Sequence, residues 1–239
     1  MEMTREVLDL EKEVRRIRTV FAQRKEAPVS EWIPHLNLYG RYAYYDRTAV
    51  LIHALRQLNV SSLEGMKILD VGCGGGTLLR YLFDFGAKPR TCFGIDLLED
   101  PVRSAKELSP NVGFYLANAA RLPFSDECFD LVFQSMVLTS VLDAKIKQTI
   151  ASEMLRVLRR RGRLVWYDFM FDNPRNKNVK GIGRSEIQEL LPGCTLRFWR
   201  LTLAPPIGRI LGAVSPFLFH LFSRVPFLCT HYLCIAEKL

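Results

Sequence analysis

The sequence predicts an α/β fold of the doubly wound type, in which apolar strands alternate with helices. The first observation behind this prediction is the order of apolar strand, glycine-rich turn and helix start over residues 68–82. The second is that short apolar runs ending in an acidic residue alternate with amphipathic segments further along the chain. Both patterns are typical of sheets in which a ligand binds at the edge where the strands end.

The composition indicates one α/β domain with appendages. The chain has 239 residues, of which 49% are apolar, and a formal net charge of +8. Its first 26 residues alternate in charge, so we expect no signal peptide and a cytoplasmic protein. The six cysteines include no C-x-x-C pair, and no metal site is predicted. The positive net charge suits an anionic partner, such as nucleic acid, an anionic membrane surface or an acidic small molecule.

Residues 1–60 are interpreted as an N-terminal helical cap and residues 61–239 as the main domain. Residues 4–25 place apolar side chains at steps of three and four, which predicts a helix with one apolar stripe. The stripe is expected either to pack on its own domain or to form a dimer seam, so the chain is a monomer or a homodimer. A tyrosine-rich stretch at 38–47 precedes a second predicted helix at 48–58.

The glycine-rich turn has the order Asp70-x-Gly72-x-Gly74-x-Gly76. A dinucleotide fingerprint would need its third glycine where Thr77 stands, so the spacing disfavours NAD. Glycines let the main chain approach a ligand closely, and the N–H groups of a first helical turn favour an anionic group. A turn that binds no ligand is the plainer alternative.

This motif resembles motif I of the class I S-adenosylmethionine-dependent methyltransferases, and residues 133–193 are similar to the type-11 branch of that family. The resemblance implies a Rossmann-like sheet of seven mixed strands, with the last strand antiparallel. It implies S-adenosyl-L-methionine as cofactor and S-adenosyl-L-homocysteine as product. By the same resemblance, the glycine loop with Cys73 holds the methionine end of the cofactor, and Asp70 helps to anchor its amino group.

Later strand ends supply the other expected cofactor contacts. Asp96 ends the second strand, at the edge where doubly wound sheets bind ligands, and is expected to accept hydrogen bonds from ribose hydroxyls. Capping the next helix is its alternative role. The resemblance implies that Asn118 lies at the adenine edge and that Gln134 lies at the amino-acid end of the cofactor. The predicted cofactor site also includes two neighbouring residues, Leu97 and Ala119.

The acceptor site is predicted from three segments. The fifth strand ends in Asp168, the first candidate for a general base, with Tyr167 behind it. The histidine base that many small-molecule oxygen methyltransferases carry after strand four is replaced here by Thr139 and Ser140. The basic loop after strand five is expected to hold an anionic group through Asn173, Arg175 and Lys177. By the resemblance, N-terminal pocket candidates are Tyr39, Arg41, Tyr42 and Arg47.

An apolar insert at 204–229 separates the sixth and seventh predicted strands. Its apolar run is shorter than the roughly 20 residues that a membrane span needs, and Pro216 interrupts it, so no transmembrane span is expected. A lid over the substrate pocket, core packing, and a peripheral membrane or dimer contact are its alternative roles.

The predicted function is methyl transfer from S-adenosylmethionine to an oxygen of a small, anionic or sugar-linked acceptor in a biosynthetic pathway. Alignment of the acceptor with the methyl group is the protein's main contribution to such a reaction, which needs no metal. A non-catalytic cofactor-binding scaffold of the same fold and a nucleic-acid methyltransferase are the alternatives. The lack of an appended RNA-binding module in the sequence disfavours nucleic acid as partner.

Overall fold

Seven strands form one mixed sheet in the computed structural model, which describes residues 2–25, 37–174 and 176–239. The strands are β1 Ile68–Val71, β2 Cys92–Asp96, β3 Gly113–Leu116, β4 Phe129–Ser135, β5 Leu158–Phe169, β6 Cys194–Leu203 and β7 Cys229–Lys238. Their order is β3-β2-β1-β4-β5-β7-β6, and β7 is antiparallel to both of its neighbours. The predicted doubly wound sheet with an antiparallel last strand is thus confirmed.

The helices follow the predicted order. They are α1 Glu2–Lys25, α2 Leu38–Gln57, α3 Thr77–Leu82, α4 Glu99–Leu108, α5 Ala144–Val157, α6 Arg184–Leu190, α7 Pro205–Val214 and α8 Pro216–Ser223. The prediction that the second helix begins at Thr48 is wrong, because α2 already begins at Leu38. Asn37 caps it there, since its Oδ1 accepts the N–H of Gly40 at 3.3 Å. The tyrosine-rich stretch is therefore helical.

Two apolar layers enclose the sheet. Leu51 of α2, Leu79 of α3 and Val102 of α4 pack on one face, and Ile150 of α5 and Ile187 of α6 pack on the other. All residues of β1 are buried, as expected for a parallel strand covered on both faces. Positions 1 and 26–36 of the predicted N-terminal cap, and Arg175 of the predicted anion clamp, lie outside the described residues.

The strand order positions the candidate site. The order reverses between β1 and β4, which is where doubly wound sheets form a ligand crevice at the carboxyl ends of their strands. Strand β6 ends and β7 begins at this same edge, because β6 runs parallel to β5. The apolar insert thus leaves the sheet at the edge that carries the glycine loop. In the part of the chain that the structure describes, no helix has the length and apolar character to cross a membrane.

Candidate active site

The glycine loop between β1 and α3 forms the floor of the crevice. Gly72 and Gly74 have φ angles of +73° and +52°, in the left-handed region that strains residues with a Cβ. A Cβ on Gly72 would lie 2.3 Å from Cγ2 of Val137, whereas one on Gly74 would meet no atom within 4 Å. Gly74 therefore leaves open space beside the main chain, which a ligand can approach closely.

Asp96 joins the end of β2 to the glycine loop. Its Oδ2 accepts the N–H of Gly74 at 2.9 Å, and its Oδ1 accepts the N–H of Leu98 at 2.9 Å. Burial raises the pKa of Asp96, while these backbone hydrogen bonds oppose the rise. A carboxylate has about four acceptor positions, so this one can also accept hydrogen bonds from ligand hydroxyls. The hydrogen bond that Asp96 accepts from Leu98, the residue before helix α4, is therefore compatible with a contact between Asp96 and a ligand.

A cavity of about 630 Å³ runs along this edge. Its volume lies within the range of about 300–1,000 Å³ that is usual for small-molecule sites. The predicted site residues that line it are Gly72, Gly74, Asp96, Leu97, Asn118, Ala119 and Asn173. The Oδ1 atom of Asn118 accepts the N–H of Ala120 at 2.9 Å, which fixes the orientation of the side chain. The structure thus brings the polar groups expected for ribose and adenine to one wall.

Asp70 lies in β1 beneath the glycine loop and is only 2% exposed. Burial raises its pKa to about 8, with Arg47 opposing the rise and Asp96 adding to it. A cation placed beside this carboxyl group would stabilise its ionised form. Cys73 is also buried, and its Sγ contacts the carbonyl of Gly74. Asp70, Cys73 and Gly76 therefore shape the loop from below and do not line the cavity.

Arg47, from α2, does not itself line the cavity but is bonded to a residue that does. Its Nη1 donates to Oγ of Ser135 at 3.1 Å, and Ser135 lines the cavity. Its Cζ lies 5.2 Å from the ring centroid of Tyr44 and 4.9 Å from that of Tyr167. Burial and the charge of Arg47 lower the pKa of His231 to about 3, so this imidazole is neutral. The two ring faces hold the guanidinium in place, and the guanidinium is the group that suits an anion.

The two predicted catalytic residues are buried away from the cavity wall. Asp168 is 1% exposed, and its carboxylate accepts hydrogen bonds from Thr139 Oγ1 at 2.6 Å and Gln134 Nε2 at 2.8 Å. Burial raises its pKa to about 7, and these hydrogen bonds oppose the rise. The hydroxyl of Tyr167 pairs with Oγ1 of Thr202 at 2.8 Å. Asp168 has the pKa of a general base, but the structure does not bring it to the cavity.

Helix α1 forms one wall of the cavity, with the apolar stripe directed inward. The lining residues of this helix are Leu10, Glu13, Val14, Ile17 and Phe21. Glu13 anchors the helix, because its Oε1 accepts the N–H of Leu142 at 2.7 Å. Arg16 donates to both oxygens of Glu13 and to the carbonyl of Ser140. Leu10 and Ile17 of the stripe therefore pack on their own domain, while Val7 near the start of the helix is exposed.

Sequence reasoning did not single out Glu13. The signal was its position three residues after Leu10 and four before Ile17, which places a carboxylate on the apolar stripe.

The remaining acceptor candidates lie outside the cavity. Tyr39 donates its hydroxyl to the carbonyl of Leu203 at 3.0 Å, and Tyr42 packs on Phe219, so both support the insert. Arg41 is exposed beside Tyr45, and Lys177 is also exposed. In the described part of the chain, no group of three or more His, Cys, Asp or Glu side chains is placed to hold a metal ion.

The sheet order and the cavity at its switch point define the class I methyltransferase fold. A crystal structure of a SAM-dependent methyltransferase from Methanosarcina mazei has the same fold, with a TM-score of 0.57 and 21% identity, over 79% of this chain and 97% of that one. Residues 69–166 match the model of the family described as a methyltransferase domain. The chain therefore has the class I methyltransferase fold, and the region that matches the methyltransferase-domain model runs from β1 to the middle of β5.

Curated relatives match over about half of the chain. An uncharacterised methyltransferase of Synechocystis sp. is 34% identical over 125 residues, which are 49% of this chain and 57% of that protein. The demethylmenaquinone methyltransferase of Beutenbergia cavernae is 38% identical over 105 residues, which are 44% of this chain and 41% of that protein. This chain thus spans about half the length of the curated relatives that it matches.

Proposed function

We propose that this chain binds S-adenosyl-L-methionine in the cavity and transfers its methyl group to an oxygen of a small acceptor. The observation that carries the proposal is that Gly74, Asp96 and Asn118 line one cavity at the switch point of the sheet. Gly74 leaves the main chain open to a ligand. Asp96 offers a carboxylate with spare acceptor positions, and Asn118 offers an amide whose orientation is fixed.

The residues present fit this cofactor. Asp96 would hold the ribose hydroxyls. Asn118 and Ala119 would contact the adenine edge. The loop at Gly72 and Gly74 would hold the amino-acid end of the cofactor. Asp70 is a buried carboxyl group whose pKa is raised to about 8, which is the environment that a bound ammonium group would stabilise. When bound, S-adenosylmethionine supplies a methyl group on a sulfonium, and S-adenosylhomocysteine remains after transfer.

For the acceptor, we propose a small molecule with an apolar body and an ionised oxygen. Side chains of α1 and α5 that line the cavity are largely apolar, which suits the body of such a molecule. Arg47, bonded to Ser135 on the wall, would hold the oxyanion. An acceptor that is ionised on arrival needs no general base, in agreement with the burial of Asp168. The apolar stripe of α1 across the cavity disfavours a nucleic-acid acceptor.

The test is methyl transfer from labelled S-adenosylmethionine to a panel of small carboxylates, phenols and sugar acids. We expect transfer to an ionised acceptor, and we expect Arg47→Met to raise KM for it by about tenfold or more, since a charge-assisted hydrogen bond is lost. Arg41→Met is the matched control, because Arg41 lies on the same helix beside a tyrosine ring but is exposed. It should leave KM unchanged.

Each other outcome has a defined meaning. If the protein binds S-adenosylhomocysteine but methylates no acceptor of any class, the non-catalytic scaffold replaces this proposal. If both arginine variants change KM equally, the placement of the acceptor beside Arg47 is wrong.

A further inference from the structure

The insert helix α7 packs with its smallest residues inward. Gly208 and Gly212 are its buried residues, and a Cβ on Gly208 would lie 2.4 Å from the ring of Tyr39. Ile210 and Val214, four residues apart and therefore on one face, are exposed. A helix that is stable against water normally buries its large apolar residues and exposes its small ones. Helix α7 departs from this arrangement, because its glycines are its buried residues while Ile210 and Val214 are exposed and Ile207 and Leu211 are only half-buried.

The rest of the insert continues this pattern. Helix α8 buries Phe219 against Tyr42 but exposes Phe217 and Leu221, which are again four residues apart. We call the exposed large apolar residues the insert surface. They are between 37% and 77% exposed and comprise Ile210, Val214, Phe217, Leu221, Phe222 and Phe227. Each of these side chains is therefore open to solvent.

The charge of the insert is of one sign. Residues 204–229 contain Arg209 and Arg224 and no aspartate or glutamate, in a chain with a formal net charge of +8. Both arginines are exposed. Exposed apolar side chains beside basic residues are what an interface with anionic lipid headgroups requires, because the former enter the acyl region and the latter attract the headgroups.

We propose that the insert surface docks this protein on an anionic lipid bilayer. A second copy of the chain fits less well, because a two-fold contact would set arginines of one sign against each other with no acid in the insert to pair them. The insert leaves the sheet at the edge that carries the cavity, so docking turns this edge toward the membrane. The proposal does not depend on methyl transfer.

Sedimentation of the full chain with vesicles tests the proposal without any cofactor. We expect binding to phosphatidylcholine vesicles that contain phosphatidylglycerol, with less binding to phosphatidylcholine alone and a decrease as salt is raised. The double variant Phe217→Ser, Phe227→Ser should weaken the partition coefficient by about tenfold or more. Leu108→Ser is the matched apolar control, since Leu108 is 61% exposed at the end of α4.

A second pair of variants tests the charges. Arg209→Glu with Arg224→Glu should weaken binding by about tenfold or more. Arg90→Glu with Arg160→Glu, at the opposite edge of the sheet, should change it far less. All substituted residues are exposed, so the denaturation midpoints of the variants should stay close to that of the parent.

Three results would overturn the proposal. The first is no sedimentation with vesicles containing phosphatidylglycerol at low salt. The second is an equal loss of binding in the insert variants and their controls, which would indicate general attraction of a basic protein. The third is a dimer in velocity sedimentation that the Phe217→Ser, Phe227→Ser variant dissociates, which would assign the surface to a second copy. S-adenosylhomocysteine titration of the same variants reports on the proposed function separately.

Discussion

Helices α1 and α7 lie at the same edge of the sheet but direct their apolar residues in opposite ways. Helix α1 directs its apolar stripe onto the cavity and is held there by Glu13. Helix α7 buries glycines and directs Ile210 and Val214 outward. The comparison teaches that an apolar periodicity predicts a helix with an apolar face but not the medium that this face meets.

The largest expected difference between the two helices is in the free energy of unfolding when one isoleucine of each helix is replaced by aspartate. Ile17→Asp should lower the free energy of unfolding by about 1–3 kcal/mol, because it places a carboxylate among half-buried apolar side chains of the cavity wall. Ile210→Asp should change it by less than about 0.5 kcal/mol, because Ile210 is exposed. Denaturant unfolding measures both, and equal losses would refute the contrast between the helices.

The anchor of α1 gives the next largest effect. Glu13→Gln should cost about 1–2 kcal/mol, since charge-assisted hydrogen bonds to Leu142 and Arg16 are weakened. Glu11→Gln, on an exposed part of the same helix, should cost almost nothing.

The pH dependence of stability sharpens this prediction. Burial acts to raise the pKa of Glu13, but the hydrogen bonds from Arg16 and Leu142 outweigh it and hold the pKa below its usual value. The stability from Glu13 is therefore present above the pKa of the unfolded chain and is lost as the pH falls through the folded pKa. An acid transition unchanged by Glu13→Gln would show that this residue is no anchor.

The proposed contact of Asp70 with the ammonium group of the cofactor, from beneath the glycine loop, predicts that cofactor affinity depends on pH. Because its pKa is raised to about 8, its ionised fraction grows as the pH rises toward that value. Affinity for S-adenosylhomocysteine should therefore rise with pH below 8, by at most about tenfold per unit. Stability without ligand changes in the opposite sense, since a raised carboxyl pKa removes stability as the pH rises. Asp70→Asn should flatten the affinity profile, and a flat profile in the parent would contradict the role of Asp70.

The smallest expected effect concerns Asp168. Loss of a general base usually costs about 10²–10⁴ in rate. Because Asp168 is buried beneath Gln134 and Thr139, we expect Asp168→Asn to lower kcat by less than about tenfold with an acceptor that is already ionised. A loss in the range of a general base, at an unchanged free energy of unfolding, would restore Asp168 to the catalytic role that the sequence predicts.

The order of the sheet, and the presence of Gly74 and Asp96 at one edge of it, were predictable because their signals are local. Positive φ angles favour glycine, and an acid at a strand end such as Asp96 lies where ligands bind, whatever the rest of the chain does. Side-chain direction was not predictable. Tyr167 and Asp168 alternate in β5, but nothing in their order shows which layer adjoins the cavity. Tyr39 and Tyr42 of α2 likewise face the insert because of packing between segments far apart in sequence.

Calorimetric titration with S-adenosylhomocysteine of the parent, Gly74→Ala and Gly65→Ala tests the central claim most directly. Both glycines have positive φ and open space for a Cβ, so both substitutions should cost a similar conformational strain of about 1 kcal/mol. Only Gly74 lines the cavity. We predict that the parent binds, that Gly74→Ala weakens binding by about tenfold or more, and that Gly65→Ala does not. A parent that fails to bind, or two variants that bind as the parent does, would contradict the account.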